Sequence, residues 1–171
     1  MNNILHVYKP LPWQVAPWRD MSRVLLLTGA AGGGKSRVAA EKFHAFMLRY
    51  PGSTGVVGRK DQRAAHRSVV PFLAYTVMGQ SAWGEYKKKD GLLQYNNGSQ
   101  AYVVGVRDEG QRENLRSIGR DGSFDIAWFE EANKLLGVSI QSQELDGDIL
   151  VPNGVPPDPD LAESPGAYLF N

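Results

Sequence analysis

Gly29-Ala30-Ala31-Gly32-Gly33-Gly34-Lys35-Ser36 is the stretch on which the reading of this chain turns. It fits the pattern G-x-x-x-x-G-K-[ST] at every position. The run before it, RVLLLT (23–28), is short and apolar and leads into glycine, as a buried parallel strand would. After it, Ser36 to Tyr50 carries Val38, Ala39, Phe43, Phe46 and Met47 at three-to-four spacing, and Pro51-Gly52 stops the pattern. That spacing predicts a helix. A bare glycine turn before a helix is the competing reading, and it leaves the Lys-Ser pair without a purpose.

The chemistry explains the residue types. Glycines let the backbone curl so that successive N–H groups point inward at phosphate oxygens. The helix N-terminus adds the positive end of its dipole. On this reading the ligand is ATP with Mg²⁺, contacted by Gly29, Ala30, Ala31, Gly32, Gly33, Gly34, Lys35, Ser36 and the following Arg37. Lys35 would bridge the β- and γ-phosphates and the Ser36 hydroxyl would ligate the metal.

A phosphate loop needs an acid at the tip of a neighbouring strand. Phe124-Asp125-Ile126-Ala127-Trp128-Phe129-Glu130-Glu131 supplies an apolar strand ending in two carboxylates. Glu130 is expected to hold Mg²⁺, directly or through water, and Glu131 to act as general base on the attacking water. Side chains alternate along a strand, so the two can divide these tasks only if the strand stops there. Ala132-Asn133 fits such a stop.

Between these motifs, TGVVG (54–58) reads as a second strand, and Asp61 as the cap of a helix that meets Pro71 and kinks or restarts. LLQY and QAYVVGV flank Asn96-Asn97-Gly98-Ser99, which predicts a hairpin with the positive φ angles of an Asn-Gly turn. Asn97-Gly98-Ser99 also matches a glycosylation sequon, read here as the turn. Strands alternating with helices predict an α/β fold of three layers, with a mostly parallel sheet and the hairpin as an antiparallel addition. The ATPase domain is expected over 1–136. The tail, 137–171, is expected to be irregular, because half of the ten prolines fall in its last twenty residues.

Composition narrows the partners. There are no cysteines, which removes disulfides, thiolate metal sites and cysteine nucleophiles. Hydrophobic residues make up 42% of the chain, enough for a core, and no apolar stretch approaches membrane-spanning length. A soluble, cytoplasmic protein is expected. All 19 Lys and Arg lie at or before Lys134, where the net charge is +7, and the six acids beyond it give −6. A basic body suits a polyanion such as DNA, or is an ordinary solvated surface.

With these segments placed, the chain resembles the large terminase subunits of tailed phages, in the branch with a WFEEA-type acidic motif. VVGRKDQRAAHRSVVPFL is similar to the strand-Arg-helix segment after the first helix of that family. NNGSQAYVVGVRDEGQRENLRSIGRDGSFDIAWFEEAN is similar to its hairpin, charged loop and acidic motif in the same order. The likeness covers roughly residues 10 to 135. It implies a P-loop NTPase fold and a homo-oligomeric ring that drives double-stranded DNA into a procapsid, with a portal protein and a small terminase subunit as partners. The family's C-terminal nuclease domain has no counterpart here, so nuclease activity is not expected. Tyr168-Leu169-Phe170-Asn171 resembles the start of the family's coupling motif, which suggests a fragment or truncated product. Residues 137–166 depart from the family pattern.

The resemblance implies further roles. Gln14, beside Trp13, stands where related motors read the adenine edge, or is a Gln beside a packing Trp. Arg116 matches an arginine that reaches a neighbouring subunit's γ-phosphate, with Arg120 as the competing candidate and a DNA-facing or surface role as the alternative for both. Arg59 could sense nucleotide, cap a helix or contact DNA. The competing functions are a helicase-like or recombination ATPase and an inactive nucleotide-binding module.

Overall fold

The structure is a computed structural model and describes residues 8–79, 83–108, 110, 111, 115, 117, 118, 123–131 and, for the backbone, 148–152. A 3₁₀ turn at Pro12–Gln14 opens α1 (Val15–Arg19), followed by β1 (Leu25–Leu27), α2 (Lys35–Arg49) and β2 (Thr54–Arg59). Then come α3 (Gln62–Arg67), α4 (Val69–Pro71), a π-helical turn (Phe72–Val77), β3 (Gly84–Lys87), β4 (Leu92–Tyr95) and β5 (Gln100–Gly105). β6 (Ile126–Phe129) and β7 (Asp148–Pro152) complete the elements.

The fold is α/β, and its sheet is mixed, with strand order β1-β7-β6-β2-β5-β4-β3. Among the described residues only β2 pairs in parallel, with β5 on one side and β6 on the other. The pairs β1–β7, β6–β7, β4–β5 and β3–β4 are antiparallel, which corrects the expectation of a mostly parallel sheet. The reason is β7. It enters between β1 and β6 against both, so β1 still points the same way as β6, β2 and β5 without pairing with any of them. The tail expected to be irregular therefore contributes a strand. β1 is an edge strand with Leu26 half-exposed, not the buried parallel strand that its composition suggests. The AYLF segment (167–170) lies outside the described residues.

The helices form where the pattern predicts them. α2 buries Val38, Ala39, Phe43, Phe46 and Met47 against the sheet and ends at Tyr50, before Pro51. Asp61 caps α3 by accepting a hydrogen bond from the Ala64 N–H at 3.1 Å. The helix breaks at Ser68, three residues before Pro71, because proline lacks an N–H and its ring crowds the carbonyl one turn back. Beyond Pro71 the winding loosens, and Met78 N–H donates to the Leu73 carbonyl at 2.8 Å, an i to i−5 bond.

The hairpin turn falls where expected, but of its Asn-Gly pair only the glycine takes a positive φ. Gly98 has φ +89°, and Asn97 donates its amide to the Met47 carbonyl at 2.8 Å while accepting from the Ser99 N–H at 3.1 Å. Alternation along β2, β5 and β6 divides the core. Val57, Ala101, Val103, Ile126 and Trp128 face α2, α3 and the π-helical turn, whereas Val56, Val104 and Ala127 join Val106 on the other face.

Candidate nucleotide site

Because β1, β6 and β2 share one direction, their carboxyl ends lie along one edge of the sheet. The phosphate loop follows β1, Glu130 and Glu131 follow β6, and Arg59 ends β2. The carboxyl edge of such a sheet is where α/β proteins place ligands. A cavity of about 460 Å³ opens there, lined by Ala31 to Arg37, Arg59, Phe72, Glu130 and Glu131.

The loop has the backbone its glycines permit. Gly29, Gly32 and Gly34 all have positive φ, and Gly34 at +85° is the residue that starts α2. A Cβ on Gly34 would also lie 2.8 Å from the Gln14 amide nitrogen, so alanine there would be both strained and obstructed. Lys35 is buried to within 7% of its surface, and its ammonium donates to the carbonyls of Gly29 at 3.0 Å and Ala30 at 2.8 Å. That geometry holds the charge across the mouth of the loop.

The Ser36 hydroxyl donates to Oε1 of Glu130 at 3.2 Å, joining residues 94 apart in the chain. β6 ends at Phe129, so the two acids leave the strand alternation as required. Glu131 has φ +55°, the one positive φ at a non-glycine residue among the described residues. A bulky side chain in that region is strained, and such strain is held where the surroundings over-determine it. Here it brings both carboxylates to the same guanidinium. Arg59 Nε lies 3.1 Å from Glu130 Oε2, and its Nη2 pairs with Glu131 Oε1. The third nitrogen, Nη1, donates to the Ser68 hydroxyl at 2.8 Å. All three charged side chains are less than a quarter exposed, so these pairs are weakly screened.

Of the residues expected at the site, those of the phosphate loop from Ala31 to Ser36, with Arg37, Glu130 and Glu131, come together at the cavity. Gly29 and Ala30 stand behind it as acceptors for Lys35. Gln14 is placed differently. It is buried, it does not line the cavity, and its amide is engaged at both ends. Oε1 accepts from Tyr8 Oη at 2.8 Å and from the Leu11 N–H at 2.9 Å, and Nε2 donates to the Gly34 carbonyl at 2.8 Å. Arg37 pairs with buried Glu41 at 2.5 Å and sits 5.8 Å over the Tyr8 ring, whose hydroxyl is pushed up to about 12 by burial and by Glu41. Arg116 and Arg120 lie outside the described residues.

Sequence reasoning did not foresee Arg59 bridging both acids. The signal was its place at the end of the strand beside the acidic one, but strand adjacency is not written in the chain order. Nor did it foresee Tyr8 and Phe72.

The donor set suits a small hard cation. A serine hydroxyl and one carboxylate oxygen, already 3.2 Å apart, match the sparse protein ligation that Mg²⁺ accepts beside phosphates. Among the described residues there is no cluster of three or more His, Asp or Glu side chains of the kind that holds a metal alone, and no helix is long and apolar enough to cross a membrane. No family model, curated protein or solved structure matches the chain.

Proposed function

We propose that this chain is the ATP-binding and ATP-hydrolysing region of a viral DNA-packaging terminase, a P-loop motor of three-layer α/β/α build. It would couple Mg²⁺·ATP hydrolysis to translocation of double-stranded DNA. The observation that carries the reading is the approach of Ser36 to Glu130 at 3.2 Å, with Lys35 and Glu131 lining the same cavity. Residues from the two ends of the ATPase motif set meet where a phosphate-bound metal would need them.

Each side chain has a role in this scheme. The loop N–H groups and the start of α2 bind the phosphates. Lys35 would bind the β- and γ-oxygens. Ser36 and Glu130 would hold Mg²⁺, which neutralises charge on the phosphates. Glu131 takes the proton of the attacking water. Arg59, paired with both carboxylates, would hold Glu130 and Glu131 at the cavity. Arg116 or Arg120, on the family resemblance, would reach the γ-phosphate of a neighbour in a homo-oligomeric ring. The portal and small subunit would complete the machine.

The test is phosphate release by the wild-type chain and by Lys35→Ala, with and without duplex DNA. Loss of an ammonium from a buried phosphate site is not compensated by water. Wild-type turnover that duplex DNA raises, and Lys35→Ala turnover at background, are the expected results. Equal turnover in the two proteins contradicts the phosphate-loop assignment, and turnover indifferent to DNA contradicts the packaging reading.

A further inference from the structure

The sheet edge that carries the nucleotide cavity continues past it. β3 runs in the same direction as β5, because each is antiparallel to β4, so the turn after β3 also lies at the carboxyl edge. That turn is Lys87-Lys88-Lys89-Asp90-Gly91, and Lys88 and Lys89 are exposed. α3 packs beside it. His66 of α3 bonds through Nδ1 to the Tyr86 hydroxyl, with the two rings stacked at 6.1 Å. A Cβ on Gly91 would sit 3.6 Å from the same imidazole. Burial and the charge of Lys88 both lower the His66 pKa.

On either side of His66 on α3, Arg63 and Arg67 are exposed. None of Arg63, Arg67, Lys88 and Lys89 is in a salt bridge among the described residues. Of the acids nearby, Asp61 caps α3, Glu85 lies 3.6 Å from Lys87, and Asp90 is exposed in the turn itself. Four exposed cations from two elements thus outnumber the carboxylates beside them.

We infer that this face, Arg63 and Arg67 of α3 with Lys88 and Lys89 of the β3–β4 turn, binds the phosphate backbone of duplex DNA. The choice of DNA rests on the motor reading above. The face offers guanidinium and ammonium groups to a regular array of charge, while Tyr86 is stacked on His66 and Tyr75 near it is exposed. Four cations address phosphates and not base edges, so the face reads no base. α3 also joins the face to the cleft, since Ser68 at its end accepts from Arg59, which holds both catalytic carboxylates.

The experiment compares wild type, K88E/K89E and R63E/R67E for affinity to a short fluorescent duplex across a salt series. Binding of a fluorescent ATP analogue and basal phosphate release are measured alongside. Each phosphate contact contributes about 0.9 to the slope of log affinity against log salt, so each double reversal should flatten the slope by about 2 and weaken low-salt binding more than ~10-fold. ATP-analogue binding and basal turnover should stay at wild-type levels while stimulation by duplex is lost. K88A/K89A, changed only at an exposed turn, should show the same direction to a lesser degree and guards against misfolding of the reversals. Unchanged duplex affinity in K88E/K89E and K88A/K89A overturns the inference, as does wild type that prefers single-stranded DNA or RNA or binds no duplex. A chain that binds duplex through this face without hydrolysing ATP would retain the interface and sink the motor reading instead.

Discussion

Gln14 is a side chain whose neighbours engage both ends of its amide. Its position upstream of the phosphate loop suggests an adenine reader, yet its amide oxygen and nitrogen are spent on Tyr8, Leu11 and Gly34. Sequence position could not show this, because the partners lie 6 residues before it and 20 after it. In the structure Gln14 fastens the N-terminal segment to the carbonyl of Gly34, whose left-handed conformation begins α2. Removing the amide should loosen the phosphate loop and leave the Tyr8 hydroxyl without its acceptor. A net loss of ~1 kcal/mol for the one bond that reaches the loop, Nε2 to the Gly34 carbonyl, converts to roughly a fivefold weakening. Gln14→Ala should therefore weaken ATP and GTP binding by about the same factor. Loss of ATP affinity with GTP affinity intact would return Gln14 to the adenine edge. Arg59 was legible as a strand-end cation but not as a clamp, since a guanidinium shared by Glu130 and Glu131 depends on β2 lying beside β6.

At the scale of elements, the strongly patterned pieces were readable and the short ones were not. α2, β2, the hairpin and β6 carry periodicity or turn residues that leave few alternatives. β3 is four residues, Gly-Glu-Tyr-Lys, with no apolar alternation. β7 is Asp-Ile-Leu-Val-Pro, a short apolar run hidden among acids and prolines, and its antiparallel insertion cannot be inferred from strand order. α1 contains Pro17 and lacks an apolar period. It is held instead by Lys42 of α2, whose buried ammonium donates to the carbonyls of Pro17 at 2.9 Å, Trp18 at 3.1 Å and Asp20. A cation at the end of a helix complements its exposed carbonyls. Burial pushes this ammonium down to about 8 from 10.5, with Asp20 opposing. Between those values the folded chain binds fewer protons than the unfolded chain, so this group makes stability rise as pH increases from about 8 to 10.5 and adds no slope below that. Lys42→Met removes the titration and its three hydrogen bonds to α1, at a cost of ~1–3 kcal/mol. Urea unfolding at about pH 7.5 and about pH 9.5 should show a rise in wild type that Lys42→Met lacks. Parallel pH dependence in the two proteins would mean that Lys42 is not titrating in the folded state.

The whole molecule is an edge of a sheet made chemical. The phosphate loop, Arg59 and the two acids are separated by up to about a hundred residues, and what unites them is the common direction of β1, β2 and β6. The two motifs were legible in the sequence because their residue types recur at fixed spacing, and the structure brings them to one cavity. The mixed character of the sheet was not, because β7 changes the pairing without changing those directions. On the proposed reading this edge hydrolyses ATP with Glu131 as the base, positioned by a strained backbone at φ +55°. The most direct measurement is single-turnover cleavage of Mg²⁺·ATP by wild type and Glu131→Gln at matched occupancy. Glutamine keeps the shape and cannot take the proton, and a positioned base contributes ~10²–10⁴-fold. Equal nucleotide affinity with cleavage slowed by that factor is the predicted result. Cleavage at the wild-type rate in Glu131→Gln, or a wild-type chain that binds Mg²⁺·ATP and never cleaves it, would contradict the claim.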